Sequence, residues 1–190
     1  HLQMPTPTKK ALRAVHGTSP ENVWAVGDDG QVLRHNGVGW SKEESPTGSD
    51  MRAVRVSADG TVRIAGWGIW RRDPDGTWTW EVSSGAYNAL DENAGELWAV
   101  GNNGVVRRRV EGVWTQVLSP GSPNLHDVAV VAADDVWIVG DGGTIWHWDG
   151  NGLEIVQSST QEHLFALGWR SPTDVVATGA YGEVLFWDGD

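Results

Sequence analysis

Three observations place this chain in the all-β class. A glycine returns at positions 27, 66, 101, 140 and 179, spaced 39, 35, 39 and 39 residues apart. Before each lies a short apolar run: VWAV (23–26), VRIA (62–65), LWAV (97–100), VWIV (136–139) and VVAT (175–178). After each come turn-forming pieces, first of the kind GDDG, GNNG or GDGG, then Asn36-Gly37, Asp75-Gly76, Glu111-Gly112, Asp149-Gly150 and Asp188-Gly189. The apolar runs are too short for helices and rich in β-branched residues, so each is expected to be a buried strand. Asn-Gly and Asp-Gly pairs favour the type I′ turn that joins antiparallel strands. A further strand precedes each run: LRAV (12–15), MRAV (51–54), YNAL (87–90), LHDV (125–128) and LFAL (164–167).

Each repeat is therefore expected to be a four-stranded antiparallel meander. A unit of that size cannot cover both of its faces, and strand-only repeats of this length stack radially as blades. The expected architecture is a five-bladed β-propeller, with blades at residues 11–49, 50–85, 86–123, 124–162 and 163–190. A β-sandwich also has many short strands, but it gives no reason for one turn and one Trp to recur at a fixed period. Residues 6–15, TPTKKALRAV, align without a gap on residues 45–54, SPTGSDMRAV, whereas the fifth repeat stops after three strands. Residues 1–10 are accordingly expected to supply the outer strand of blade five and to close the ring.

Composition narrows the functional classes. The 190 residues include 13 Trp against 2 Phe and 2 Tyr, with 25 Gly and no Cys. Trp24, Trp98 and Trp137 stand three residues before the landmark glycine, where Arg63 and Val176 stand in the other two repeats, so this Trp-rich set is assigned to packing between blades. Without Cys there is no disulfide framework and no thiolate chemistry. No stretch approaches the roughly 18 unbroken apolar residues of a membrane span, so membrane insertion is not expected. The chain is acidic, with a net charge of −11, which argues against nucleic acid as a partner. The charge is uneven: residues 1–72 carry 10 Lys and Arg against 7 Asp and Glu, and residues 73–190 carry 4 against 18.

The stretches LRAVHGTSPENVWAVGDDGQVLRHNGVGW (12–40) and LHDVAVVAADDVWIVGDGGTIWHWDGNG (125–152) resemble the propeller repeats of many secreted or envelope-attached bacterial proteins. They are loosely similar to BNR and photosystem-assembly-factor propellers. The resemblance spans the whole chain and implies the fold, with an extracellular or cell-envelope location. The second repeat departs from it in RIAGWGIW (63–70), which has a shortened turn, and in RRDPDGTW (71–78), a degenerate Asp-box.

Catalytic patterns are absent: the sequence has no G-x-S-x-G, H-E-x-x-H, phosphate loop or EF-hand loop, so no catalytic residue, metal or cofactor is assigned. The Asp-rich turns are explained by turn chemistry rather than by calcium. Propellers similar to this one usually bind on the face formed by the loops leading into the innermost strand and the loops between strands two and three. Two of the latter loops, GWG and GAYG, present an aromatic where the others carry Asp or Asn. Trp67 and Tyr181 are therefore candidate stacking residues, with Asn102, Asn103 and Asp141 as hydrogen-bonding neighbours. Arg13, Arg52, Asn88, His126 and Phe165 share one position on the innermost strands and are expected at the channel mouth, where Arg13, Arg52 and His126 favour an anionic group. The expected function is a non-enzymatic, lectin-like binding module, monomeric, that recognises a carbohydrate or a protein or peptide surface. The alternatives are an assembly scaffold docking a partner through the charge asymmetry, and a BNR-type glycoside hydrolase, which needs two carboxylates across a pocket.

Overall fold

The computed structural model describes residues 5–93 and 95–189, and it divides into two compact units, His1–Tyr87 and Asn88–Asp190. Among the described residues the regular structure is strands and short 3-10 turns, and no helix is long and apolar enough to cross a membrane.

The first unit holds β1 (Leu12–Ser19), β2 (Asn22–Gly27), β3 (Val32–His35) and β4 (Trp40–Lys42), an antiparallel meander in sequence order. The next sheet has six strands: β5 (Met51–Val56), β6 (Val62–Arg72), β7 (Trp78–Asn93), β8 (Glu96–Gly101), β9 (Val106–Val110) and β10 (Val113–Gln116). In the second unit, β11 (Leu125–Ala132), β12 (Asp135–Gly140), β13 (Ile145–Trp148) and β14 (Leu153–Ile155) form another meander. The last sheet has three strands, β15 (Leu164–Ser171), β16 (Asp174–Gly179) and β17 (Val184–Trp187).

Two expectations are corrected. The five repeats occupy four hydrogen-bonded sheets, four blades where the period predicts five. The cause is β7, a 16-residue strand that runs without a break from the end of the second repeat into the start of the third. Its link, Ser83-Ser84-Gly85, is short and free of Pro, whereas the corresponding links at 43–50, 117–124 and 156–163 leave the strand conformation. The spacing of 35 rather than 39 residues marks this same place in the sequence. Closure of the ring by residues 1–10 is not seen: residues 5–11 form no strand, residues 1–4 lie outside the described residues, and the last sheet keeps three strands.

The landmark glycines have a steric origin. A Cβ at Gly27, Gly66, Gly140 or Gly179 would overlap the carbonyl oxygen of Ala11, Asp50, Asn124 or His163, because the entry to the first strand crosses tightly over the end of the second. The turns that follow are 3-10 turns at Asp28–Gly30, Asn102–Gly104, Asp141–Gly143 and Ala180–Gly182, with a left-handed second residue in each: Asp29, Asn103, Gly142 and Tyr181. In the second repeat the shortened turn forms no 3-10 turn, and β6 runs through Trp67 and Gly68. The later Asx-Gly turns are not type I′ as expected: the glycine alone has positive φ at Gly37, Gly76, Gly150 and Gly189, and only Glu111-Gly112 has both residues left-handed.

Burial follows the assignment of the tryptophans. Trp24, Trp98 and Trp137 are 2%, 0% and 4% exposed. Each indole packs on the next repeat within its unit: Trp24 under Arg72, Trp98 edge-on to Trp148 at 5.3 Å, and Trp137 against Trp187 at 5.1 Å. A cation or imidazole on the adjacent strand covers the same ring, Arg34 over Trp24, Arg108 over Trp98 and His147 on Trp137. Arg63, which takes the Trp position in the second repeat, is also buried, and Glu81 neutralises it at 3.1 Å.

Candidate functional site

The residue after each landmark glycine is fixed by the strand that follows the preceding link. Asp28 N–H donates to the Ala11 carbonyl (3.0 Å), Asp141 N–H to Asn124 (2.9 Å) and Ala180 N–H to His163 (2.8 Å). The left-handed residue then points its own N–H at a side chain of the next repeat: Asp29 to Asp50 Oδ1 (3.0 Å), Asn103 to Asn124 Oδ1 (3.3 Å) and Gly142 to His163 Nδ1 (3.2 Å). The turns at Asp28–Gly30 and Asp141–Gly143 are thus tied both to their own first strand and to the one after it, and the Ala180–Gly182 turn to its own first strand.

In the unit Asn88–Asp190, five side chains gather around the turn Asp141–Gly143. Asp141 Oδ1 meets His126 Nε2 at 2.6 Å and lies 3.1 Å from His163 Nδ1, while Asp141 Oδ2 accepts from Asn124 Nδ2 at 2.9 Å. Burial would raise the Asp141 carboxyl, but the hydrogen bonds from His126 and Asn124, together with the charges of His126 and His163, outweigh it and hold the group below the usual carboxylate range. His163 Nδ1 cannot accept from Gly142 N–H and donate to Asp141 at once: the first contact needs the bare nitrogen and the second needs Nδ1–H. Phe165, half exposed, lies beside both imidazoles, with centroids 5.3 Å from His126 and 6.3 Å from His163. Alongside, Asn88 Nδ2 donates to Asn102 Oδ1 and to the Leu125 carbonyl, both at 2.8 Å, and Asn103 is exposed.

Tyr181 stands on the turn tied to His163. Its side chain is 93% exposed and its φ is +53°, a left-handed conformation that disfavours a residue with a bulky Cβ substituent by about 1 kcal/mol. Asn, Asp and Gly occupy the same place in the other three turns, and they tolerate it.

The unit His1–Tyr87 carries the remaining candidates in a different chemistry. Arg13 grips Asp28 with two bonds, Nε to Oδ1 at 2.7 Å and Nη2 to Oδ2 at 2.8 Å. That pairing with Arg13, with weaker help from Arg52 and Lys10, holds the Asp28 carboxyl below its ordinary value although burial opposes it. Arg52 is exposed, and Trp67 is 63% exposed on β6, opposite Ala86.

The predicted residues thus divide into two groups, Arg13, Arg52 and Trp67 in one unit and Asn102, Asn103, His126, Asp141 and Tyr181 in the other. Much of the polarity assigned to ligand contact is used internally: Asn102, Asp141 and Arg13 each have a side-chain partner within their own repeat. Asn124 and His163 escaped the sequence reading although they complete the Asp141 cluster. Their signal was present, since both stand immediately before the leucine of an innermost strand, Leu125 or Leu164, where Asp50 stands before Met51.

No family model and no curated protein matches this sequence. Solved structures do. The YCF48 structure bound to D1 peptide shares 18% identity and a TM-score of 0.75, covering 100% of this chain and 68% of that one. YCF48 from Cyanidioschyzon merolae gives 17% and 0.73, covering 98% and 71%. The WD40 β-propeller domain of Doa1 gives 15% and 0.82, covering 95% of this chain and 65% of that one. The chain therefore spans about two thirds of the length of these structures. Together with the meander sheets and the repeating glycine turns, these likenesses show that the chain has a β-propeller fold.

Proposed function

We propose that this chain is a non-enzymatic binding module that takes a peptide segment on the turn face of residues 88–189. The observation that carries the proposal is Tyr181, a tyrosine almost fully exposed on a strained turn, joined through His163 to a cluster of carboxylate, imidazole and phenyl groups. Strain retained at an exposed aromatic contributes nothing to packing, and a ligand that stacks on the ring gives it a use. Phe165 supplies a second apolar surface, and the Asp141 carboxylate, whose oxygens are bonded internally, holds its neighbouring imidazoles in place.

The neighbours support the peptide class, since the YCF48 structure was solved with a D1 peptide. Charge supports a basic sequence, because residues 73–190 carry 4 Lys and Arg against 18 Asp and Glu. Asp141 has two imidazoles and an amide as partners rather than the second carboxylate that glycoside hydrolysis uses, which favours binding over hydrolysis. Secretion or envelope attachment is part of the proposal and rests on the repeat resemblance.

The test is isothermal titration of short basic peptides, acidic peptides and a panel of glycans into the parent chain and into Tyr181→Ala and Phe165→Ala variants. Basic peptides are expected to bind in the micromolar range and to weaken at least about tenfold in either variant. Tight binding of a glycan alone, or peptide affinity unchanged in both folded variants, would refute this assignment.

A further inference from the structure

Three Asn-Gly pairs occur in the sequence, at 36–37, 103–104 and 151–152. An asparagine before a glycine carries both an electrophile, its side-chain carbon Cγ, and a nucleophile, the next backbone nitrogen, with no Cβ on the glycine to block their approach. Attack of that nitrogen on Cγ expels the amide nitrogen as ammonia and leaves a cyclic imide. Speed depends on a base for the backbone N–H and on donors for the oxygen that becomes negative.

The three sites differ in those parts. Gly104 is buried and its N–H donates to the Pro123 carbonyl at 2.6 Å, an oxygen that cannot take the proton away. Gly152 N–H donates to Asp149 Oδ1 at 3.0 Å, but the N–H groups of Asn151 and Gly152 hold that carboxyl below its ordinary range, which makes it a poor base. Among the described residues, Asn36 alone has both parts. Gly37 N–H donates to His35 Nδ1 at 3.2 Å, and Asn36 Oδ1 accepts from the N–H groups of Val38 and Gly39, both at 3.1 Å. The same Nδ1 lies 3.0 Å from the Pro20 carbonyl, which it bonds only when it bears a proton. The two contacts of Nδ1 thus match the start and the end of a proton transfer: the bare nitrogen faces Gly37 N–H, and the protonated one faces Pro20. The hairpin tip is open to water, with Val38 90% exposed, and Glu21 of the turn between β1 and β2 lies against Gly37.

We propose that Asn36 is a self-modifying site, deamidated within its own hairpin with His35 as the base. Gly37 N gives its proton to His35 Nδ1 and bonds to Asn36 Cγ, while the charge on Oδ1 rests on the N–H groups of Val38 and Gly39. The imidazolium returns the proton to Nδ2 as the Cγ–Nδ2 bond breaks, and ammonia leaves. Water then opens the imide at Cγ or at the backbone carbonyl carbon of residue 36, so one water is consumed for each ammonia released. The product is an aspartyl or isoaspartyl residue. It places a new negative charge close to Glu21, and the isoaspartyl form adds one carbon to the backbone of a turn closed by Asn36 N–H on the Gly39 carbonyl at 3.4 Å. This chemistry is independent of peptide binding on the turn face of residues 88–189.

The experiment incubates the folded parent and a His35→Asn variant, its fold checked by circular dichroism, between about pH 5 and 8, where an imidazole titrates. Peptide mass spectrometry follows each Asn-Gly site, with isoaspartate and released ammonia as second readouts. In the parent, Asn36 is expected to deamidate about tenfold or more faster than Asn103 and Asn151, at a rate that levels off once the imidazole is neutral. In His35→Asn the Asn36 rate is expected to fall by about tenfold or more and to keep rising with hydroxide, while Asn151 is unchanged. A merely loosened hairpin would not remove the plateau from the pH profile. In the parent unfolded by urea, the rates at Asn36 and Asn151 are expected to converge. Equal rates at Asn36 and Asn151 in the folded parent would overturn the proposal without recourse to any variant. So would an Asn36 rate that is the same in folded His35→Asn as in the parent.

Discussion

Replacing Trp98 by Phe is expected to cost less than replacing Trp137 by Phe, although both indoles are buried to within 4%. The difference lies in one hydrogen bond. Trp137 Nε1 donates to Asp135 Oδ1 at 2.8 Å, whereas Trp98 Nε1 is buried and has no partner among the described residues: Glu96, two residues upstream as Asp135 is of Trp137, is held by Arg108 at 2.6 and 2.8 Å. Trimming indole to phenyl removes the equivalent of one or two buried methylenes, about 1–2 kcal/mol at either site. At Trp98 the change also removes an unsatisfied buried N–H, whose desolvation penalty is about 1–3 kcal/mol, so the two effects nearly cancel. At Trp137 the change loses a satisfied bond as well, about 1 kcal/mol, for a total of roughly 2–3 kcal/mol. The gap of about 2 kcal/mol corresponds to a clear shift in the midpoint of urea unfolding followed by far-UV circular dichroism. A Trp98→Phe variant as unstable as Trp137→Phe would show that the missing hydrogen bond does not weigh on the native state.

Other outcomes follow from particular contacts. Trp98→Ala should destabilise by roughly 3–5 kcal/mol, while Trp67→Ala, at a site 63% exposed, should cost well under half of that in the same urea titration. Tyr181→Gly should relieve the left-handed strain and raise stability by about 1 kcal/mol while abolishing peptide binding on that face, so a lowered melting temperature would mean that the ring packs. Gly104→Ala should be severely destabilising, because φ is +68° and the added Cβ overlaps the Gly121 carbonyl, whereas Gly142→Asn, at φ +63° with open space around it, should be nearly neutral. Asp141 has a depressed folded-state pKa, so its stabilisation is complete above the unfolded value of about 3.9 and is lost as pH falls through the lower folded value. Acid titrations of stability should therefore be shallower in Asp141→Asn than in the parent.

The repeat was legible in the sequence because its landmarks are local. Gly27, Gly66, Gly140 and Gly179 recur since one backbone crossing excludes a Cβ at each, and Trp24, Trp98 and Trp137 recur since each fills the gap to the next sheet. The exposure of Tyr181 could be read in the same way, from a residue type that breaks its own column. Other features depend on distances that no spacing records. Ser83-Ser84-Gly85 stays within β7 although Gly85 has a φ of +96° and the pairing with β6 shifts register there, and that continuity turned five expected sheets into four. The Asp141 cluster joins Asn124, His126 and His163, whose side chains converge only once β11 and β15 lie side by side, so the sequence offered His126 and Asp141 and passed over the other two. Local sterics and periodicity fix the strands and turns residue by residue, while the pairing of strand edges and the meeting of side chains from different repeats depend on packing that forms only in three dimensions.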